Sequence, residues 1–356
     1  MISDPKALAE FLTRISCEPR IALDTEADSL HAYNEKLCLV QTSVPGLNEI
    51  LDPLSELDIQ PFFKAIESKR LILHGADYDL RLICRSFAFS PTDLIDTMIA
   101  ARLCGFQDIG LAALVKKFLG IKLSKASQKA NWAIRPLSHQ MLEYAMNDTR
   151  YLLDLSDHIV AELHRLGRWN WFTESRDRMV ASAQDAKPRD VTKAWRIPGS
   201  SRLSPRAQSV LRVLWQWRET EARDWNRPAF HVMSNADLIQ ISEKIVKGEP
   251  FSTPRMSSRR RKSLEIILAL ALGIPESEWP QPPKNIRRRP SHNQSSRLQQ
   301  LRRLRDRKAA ELSLDPAILA PRQAMEAIVE NLNSDALMNW QREILELPPL
   351  PTPPKT

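Results

Sequence analysis

Residues 21–27 read IALDTEA, and this stretch decides the fold. Three apolar residues run directly into two carboxylates, a pattern typical of a buried strand that ends at a functional site. Side chains two apart in a strand share a face, so Asp24 and Glu26 point the same way and can bind one ion together. The stretch therefore predicts a strand that presents a pair of acids.

Two further stretches carry acidic residues in the same half of the chain. EYAMNDTRYLL, at residues 143–153, has apolar residues spaced for one side of a helix, and Tyr144 and Asp148 lie four apart on one helix face. LILHGADYDL, at residues 71–80, offers two candidate acids, Asp77 and Asp79. Folding is expected to bring one of these two together with Asp24, Glu26 and Asp148.

Carboxylates on mostly apolar elements repel one another and resist burial, so a divalent cation is the natural compensation. Hard oxygen ligands of this kind suit Mg²⁺ or Mn²⁺. The sequence therefore predicts a site for two divalent metal ions that can cleave phosphodiesters.

The order of these stretches resembles the ribonuclease D family of DEDDy exonucleases. The resemblance runs from about residue 20 to 165 and includes LIDTMIAARLCG, GLAALVKKFLGI and KASQKANWAIRPLSHQMLEYAMNDTRYLL. It implies an α/β ribonuclease H-like exonuclease domain, a mixed sheet flanked by helices. The chain departs from the family at Asn131, where an acidic residue is more common, so the role of that loop is open.

The resemblance also assigns the site. The family places its catalytic Asp five residues after a strand-ending His and before an apolar residue, which selects Asp79, after His74. It implies one ion on Asp24, Glu26 and Asp148, and a second on Asp24 and Asp79. With an ordinary pKa near 10, Tyr144 is expected to orient the attacking water. His74 is a candidate contact to the nucleic acid, the alternative being a core residue.

Three other acids receive structural interpretations. Asp77 is expected to cap a helix, Asp96 to cap the helix that follows LIDT, and Asp28 to lie beyond its strand in solvent.

The positive charge of the chain is concentrated in one region. The whole chain has a net charge of +8, whereas residues 251–310 hold 15 Lys and Arg against 4 Asp and Glu, a net of +11. Such clusters suit a polyanion, the alternative being a solvated helix face or a basic linker. The candidate nucleic-acid-binding residues here are Arg259, Arg260, Arg261, Lys262, Arg287, Arg288 and Arg289.

The second half predicts two related helical segments. Arg218 precedes Ala222 by four residues as Arg305 precedes Ala309, and a Pro-Ala pair follows in each segment, which indicates an internal repeat. Both segments resemble HRDC modules, two small all-α domains. Trp215, Trp217 and Trp225 could stack on bases, but at least two of them are expected in the helical core.

These patterns give a domain plan for the 356 residues. It comprises an exonuclease domain at 1–170, a linker at 171–202, the first HRDC-like domain at 203–282, a basic linker at 283–296, the second HRDC-like domain at 297–347 and a Pro-rich tail at 348–356. Hydrophobic residues make up 43% and charged residues 26%, which is ordinary for globular domains.

The four widely spaced cysteines predict reduced thiols, and no apolar run is long enough to span a bilayer, so a cytoplasmic location is expected. Nothing in the sequence calls for a protein partner.

Taken with the resemblance, the predicted function is a 3′–5′ exoribonuclease that trims RNA 3′ ends, tRNA precursors in particular, and releases nucleoside 5′-monophosphates. Two alternatives stay open: a DNA-directed 3′–5′ exonuclease, and a catalytically silent RNA-binding protein on the same fold.

Overall fold

The computed structural model describes residues 1–87, 89–124, 126–185, 190, 192–253, 255–281, 291–331 and 334–350. The chain divides into two compact units. Unit 1 comprises Met1–Glu26, Leu37–Ala186 and Arg289–Thr356, and unit 2 comprises Ala27–Lys36 and Lys187–Arg288.

Unit 1 is built on a five-stranded sheet in the order β3-β2-β1-β4-β5. The strands are β1 (Arg20–Ala27), β2 (Leu37–Val44), β3 (Leu47–Leu51), β4 (Arg70–Leu73) and β5 (Asp93–Asp96). β2 and β3 pair antiparallel, whereas β4 pairs parallel with β1 and with β5. This mixed sheet confirms the predicted fold class, although the pattern of the short β5 was too brief to be recognised.

Eight helices of unit 1 lie before residue 187 in the described part of the chain. They are α1 (Pro5–Ile15), α2 (Gln60–Ile66), α3 (Asp77–Ser86), α4 (Thr97–Cys104), α5 (Leu111–Leu119), α6 (His139–Arg150), α7 (Leu152–Arg165) and α8 (Trp169–Gln184). The predicted linker at 171–202 is wrong in its first part, because α8 is helical through Gln184 and Phe172 is fully buried in the core. The many polar residues of this helix gave its sequence the composition of a linker.

Unit 2 contains α9 (Pro205–Trp225), α10 (Ala229–Val232), α11 (Asn235–Lys247) and α12 (Ser258–Leu272). Trp215 and Trp217 are buried in its core, whereas Trp225 is 47% exposed, as the sequence predicted for two of the three tryptophans. Trp195 also belongs to this core, so unit 2 begins before the predicted boundary at residue 203.

The C-terminal helices are α13 (His292–Leu312), α14 (Pro316–Leu319), α15 (Arg322–Glu330) and α16 (Asn339–Ile344). α13 begins inside the predicted linker at 283–296, whose residues 283–290 lie outside the described residues. The tail is described only as far as Leu350.

This C-terminal segment shares a core with the exonuclease fold, contrary to the separate domain expected from sequence. Leu314, Leu319 and Trp340 belong to the same hydrophobic cluster as residues of α4, α5 and α7. A Cβ at Gly105, the left-handed C-cap of α4, would lie 2.5 Å from the carbonyl oxygen of Ser313, so only glycine permits this approach. The buried Arg168 guanidinium donates to the carbonyls of Leu103 and Leu312, both at 2.7 Å.

No helix among the described residues is long and apolar enough to cross a membrane. Cys17, Cys38, Cys84 and Cys104 form no disulfide among the described residues.

Candidate active site

β1 presents the first two acids. Ile21, Ala22 and Leu23 are completely buried, and the strand then carries Asp24 and Glu26 on one face, where both are partly exposed. The apolar run anchors the strand, so the two carboxylates stand on a rigid element.

α6 presents the next two residues. The Ser138 hydroxyl caps its first turn by accepting from the N–H of Met141. The buried Thr149 hydroxyl lies 2.7 Å from that of Ser43, which ties the helix to β2. Tyr144 and Asp148 are one turn apart, so both follow from the same docking of α6 on the sheet.

The tertiary structure brings three of the predicted acids together. Carboxylate oxygens of Asp24, Glu26 and Asp148 all lie within 4.8 Å of one another. Asp148 on the helix lies more than 120 residues after Asp24 and Glu26 on the strand. The convergence of the three is therefore a result of folding alone. In the described part of the chain, no basic side chain forms an ion pair with any of the three.

Asp79 lies on α3 beside this group. Its side chain is 7% exposed, and its Oδ1 accepts a hydrogen bond from the Thr25 hydroxyl. Its negative charge raises the pKa of both Asp24 and Glu26, which places it within electrostatic range of the cluster. Sequence reasoning missed Thr25. The available signal was a hydroxyl directly between two acids on a strand.

Asp77 does not join the site. It lies in the first turn of α3 and forms an exposed ion pair with Arg81, one turn later. The predicted helix cap at Asp77 is wrong, because the N-cap residue is Ala76 and no side chain caps there. The N–H groups of Gly75 and Ala76, which precede this helix, donate to the Asp96 carboxylate, at 3.1 and 2.8 Å.

Asp96 also caps α4, by accepting from the N–H groups of Met98 and Ile99, which confirms its predicted role. Asp28 does follow the strand, but the expectation that it is solvated is wrong. It is 3% exposed, and its carboxylate accepts from the Lys36 N–H at 2.7 Å.

His74 follows the end of β4 and is mostly enclosed. Its Nδ1 lies 2.9 Å from the Thr97 hydroxyl, and its Nε2 is buried without a partner among the described residues. Burial lowers the pKa of the imidazole below its ordinary value. A contact from His74 to nucleic acid stays a prediction.

Burial and mutual repulsion disfavour ionised carboxylates at this site. Burial, followed by repulsion from Asp148 and Asp79, raises the pKa of Glu26 to about 9. Burial raises the pKa of Asp148 to about 7 and that of Asp79 to about 6. The pKa of Asp24 is raised well above its usual range by burial and by the three neighbouring acids. Clustered acids of this kind are stable in the charged form only with cations beside them.

The raised pKa of Glu26 predicts a pH-dependent effect of Glu26→Gln on stability. The folded state without metal binds the Glu26 proton more tightly than the unfolded state, so its contribution to stability is present below pH about 4.3 and is lost as pH rises to about 9. In EDTA at pH 9, Glu26→Gln should raise the free energy of unfolding by about 2 kcal/mol. Its melting temperature should then exceed that of the wild type by about 4–8 °C.

At pH 5 the two proteins should melt together, because a protonated Glu and a Gln are nearly alike. Calorimetric scans at both pH values check this expectation. Equal melting temperatures at pH 9 in EDTA would show that Glu26 is not destabilising when charged.

Tyr144 stays protonated in this environment. Burial and the charges of Asp148, Glu26 and Asp24 raise the pKa of its phenol above the ordinary value. Its ring lies beside that of the buried Trp132, with 6.0 Å between ring centroids. The hydroxyl can therefore donate and accept hydrogen bonds at the acidic cluster, but it is no base at neutral pH.

The predicted basic residues of unit 2 have divided roles. Arg259 and Arg260 both bind the buried Glu221 carboxylate, at 2.8 and 3.0 Å, and Arg260 also lies over the exposed Trp225 ring. Arg261 and Lys262 are exposed. Arg287, Arg288 and Arg289 lie outside the described residues.

Comparison with known proteins agrees with this geometry. Residues 1–164 match the family model of the 3′–5′ exonuclease domain, and residues 207–246 match the HRDC domain. The ribonuclease D of Sphingobium indicum is 32% identical over 302 residues, covering 81% of this chain and 76% of the relative. That of Pseudomonas paraeruginosa is 28% identical over 365 residues, covering 96% and 94%.

A solved structure is similar over nearly the whole chain. Escherichia coli RNase D, described as an exoribonuclease involved in structured RNA processing, superposes with a TM-score of 0.72 at 26% identity, covering 99% of this chain and 92% of that one. The convergent acids, the exonuclease and HRDC matches and these relatives agree: the chain belongs to the ribonuclease D family of 3′–5′ exoribonucleases.

Proposed function

We propose that this protein trims the 3′ ends of structured RNAs, tRNA precursors among them, by hydrolysis with two divalent cations, Mg²⁺ or Mn²⁺, and releases nucleoside 5′-monophosphates. The observation that carries the proposal is the convergence of the Asp24, Glu26 and Asp148 carboxylates, with Asp79 and Tyr144 beside them. The similarity to an exoribonuclease of structured RNA processing supports the substrate class.

The residues present fit such cations. All the donors are carboxylate oxygens, and in the described residues their mutual repulsion is not offset by a basic side chain. Asp24, Glu26 and Asp148 would hold one cation, and Asp24 and Asp79 the other. Bound there, the cations supply the acidity that activates water and the positive charge that stabilises the leaving 3′ oxygen.

The protein contributes orientation. The Thr25 hydroxyl keeps the Asp79 carboxylate turned toward β1 through its hydrogen bond. Tyr144, protonated because of its raised pKa, offers a hydroxyl that can align a water for attack on the terminal phosphodiester.

Tyr144→Phe should therefore lower kcat by about 10²-fold, since an unaligned water reacts more slowly, while the affinity for Mg²⁺ is unchanged. Single-turnover release of 3′-labelled nucleotides and titration calorimetry measure the two quantities. The matched control is Tyr151→Phe, which removes a phenol hydroxyl seven residues later. Tyr151 packs against the hydrophobic core and is not part of the acidic cluster. A loss of metal binding in Tyr144→Phe would contradict an orienting role.

Unit 2 offers a surface for the body of the RNA. With Arg259 and Arg260 committed to Glu221, phosphate contacts would fall to the exposed Arg261 and Lys262, with the exposed Trp225 ring available for stacking. This surface would hold a folded RNA while its single-stranded end reaches the acidic site.

A metal-dependence assay with matched 3′-labelled RNA and DNA strands tests the proposal. We expect Mg²⁺-dependent release of nucleoside 5′-monophosphates from RNA, with DNA degraded more slowly because the 2′-OH is missing. Preference for the DNA strand would instead indicate a DNA exonuclease. Binding of RNA without release at any metal concentration would indicate a silent RNA-binding protein.

A further inference from the structure

A single arginine holds the loop that precedes α6. The Arg135 guanidinium donates to both carboxylate oxygens of Asp52, at 2.7 and 2.6 Å. It also donates to the backbone carbonyls of Cys38, Trp132 and Ile134, at 3.0, 2.8 and 2.9 Å. These five hydrogen bonds use all five N–H donors of the guanidinium. Arg135 therefore joins its own loop to β2, through Cys38, and to the end of β3, through Asp52.

The carboxylate that receives Arg135 is itself held in place. Asp52 directly follows β3, and its side chain is only 6% exposed. Its N–H donates to the carbonyl of Ile2 at 3.0 Å, and its carboxylate also accepts from the N–H of Leu54 at 3.0 Å. A two-pronged arginine–carboxylate pair adds geometric specificity to its binding energy. The loop is thus anchored at a well-defined point of the sheet.

The anchored loop carries a buried tryptophan, Trp132, which is 1% exposed. The Asn131 side-chain oxygen accepts from the N–H of Ala133 at 3.1 Å, which forms a turn around Trp132. This hydrogen bond needs only an oxygen acceptor, so an amide can serve there as well as the acidic residue that is more common in the family. Arg135 holds the Trp132 carbonyl from the other side, so both neighbours of this residue in space restrict its backbone.

The Trp132 ring in turn contacts the ring of Tyr144. The two ring centroids are 6.0 Å apart and the ring planes are inclined by 34°. Both residues belong to one hydrophobic cluster, together with the buried Cys38 and Ala145. Aromatic pairs at such distances prefer particular orientations, so the place of one ring restricts the other. The position of the Tyr144 phenol therefore depends on the loop that Arg135 anchors.

We propose that Arg135 and Asp52 are positioning residues for Tyr144, and that they act through Trp132 to hold the phenol hydroxyl at the acidic cluster. This inference rests on the proposed role of Tyr144 in aligning the attacking water. A displacement of about 1 Å in an aligning group can lower a rate by roughly 10²-fold. The anchor thus controls turnover, whereas a merely structural role would lower stability and leave the phenol in place.

The first test is a double-mutant cycle in the full-length protein. Arg135→Lys keeps the charge but offers three donors and no planar fork, so at least two of the five hydrogen bonds are lost. On a short single-stranded RNA, kcat should fall about 10-fold while KM and the affinity for Mg²⁺ stay within about twofold. In the Tyr144→Phe protein, the same change should alter kcat by less than about twofold, since the hydroxyl is already absent.

The matched control is Arg20→Lys. Arg20 also binds a carboxylate, that of Asp157, through two parallel hydrogen bonds, and neither residue belongs to the cluster of Trp132 and Tyr144. Its substitution should leave kcat within about twofold of the wild type.

The second test locates the phenol without any assay of activity. The chain has four tyrosines, so labelling with fluorotyrosine gives four fluorine NMR resonances, of which Tyr144→Phe identifies one. Arg135→Lys should shift that resonance and leave the other three in place. Asp52→Asn, which keeps one oxygen acceptor, should cause a smaller shift of the same resonance, and it serves as the second variant if Arg135→Lys does not fold. Arg20→Lys should shift none.

Two results would overturn the proposal. One is a loss of kcat of the same size with and without the Tyr144 hydroxyl, because Arg135 would then act on something else. The other is a Tyr144 resonance that keeps its position in the folded variants of Arg135 and Asp52. A protein that released no nucleotide from RNA would contradict the proposed function, whereas the fluorine spectra would still decide whether the anchor holds Tyr144.

Discussion

Asp79→Asn will reduce metal-dependent release of 3′-terminal nucleotides by at least about 10³-fold. The substitution removes the charge that the proposed second cation would need and keeps the size of the side chain. Because the carbonyl oxygen of the substituted amide can still accept from the Thr25 hydroxyl, the local fold should persist. The loss therefore reports on charge at the site and not on unfolding.

Asp77→Asn is the matched control, the same chemical change two residues earlier on the same helix. Its carboxylate pairs only with the exposed Arg81, so activity should stay within about twofold and stability within about 0.5 kcal/mol. Release of labelled nucleotide from RNA under single-turnover conditions measures both variants. If Asp77→Asn were the inactive protein and Asp79→Asn the active one, the assignment of the fourth acid would be reversed.

Trp340→Ala will destabilise the exonuclease unit by about 3–5 kcal/mol, although Trp340 lies almost 200 residues after Asp148, the last acid of the candidate site. The side chain is 4% exposed, stacks on Trp171 and belongs to the core that α4 and α7 share with the C-terminal segment. Truncation would leave a cavity in this shared core. The midpoint for loss of nuclease activity in urea should fall accordingly.

Trp225→Ala is the comparison, because Trp225 is 47% exposed and lies in unit 2. It should leave the urea midpoint of nuclease activity unchanged. Activity on a short RNA is the appropriate probe, since a chain of two units need not unfold in one step. An unchanged midpoint for Trp340→Ala would mean that the C-terminal segment does not support the catalytic core.

Because the C-terminal segment packs into the exonuclease core, deletion of the second half of the chain would not remove unit 2 alone. Removing everything after residue 200 would delete Leu314, Leu319 and Trp340 from the exonuclease core together with unit 2. Substitutions at Arg261 and Lys262 are the cleaner test of RNA docking, because both side chains are exposed.

Local sequence pattern was sufficient for the elements that carry the site. The alternation of side chains in β1 and the helical spacing in α6 depend on neighbours in the chain, so they placed Asp24 and Glu26 on one strand face and Tyr144 and Asp148 on one helix face. The family resemblance then selected Asp79 over Asp77, which stays a prediction; Asp79 is buried beside Thr25, and Asp77 is partly exposed beside Arg81. The repeat was also visible in the sequence, from the equal spacing of Arg218 and Arg305 to a following alanine. In the structure both arginines donate to a backbone carbonyl fifteen residues later.

Contacts between distant segments were decided only in three dimensions. No local pattern shows that Asp96 would cap α4 and also accept from the N–H groups of Gly75 and Ala76, or that Glu221 would engage Arg259 and Arg260. The joining of the C-terminal repeat to the exonuclease core through Trp340 is of the same kind. Secondary structure follows from periodicity within a few turns, whereas partners and shared cores follow from which surfaces exclude water together once the chain has folded.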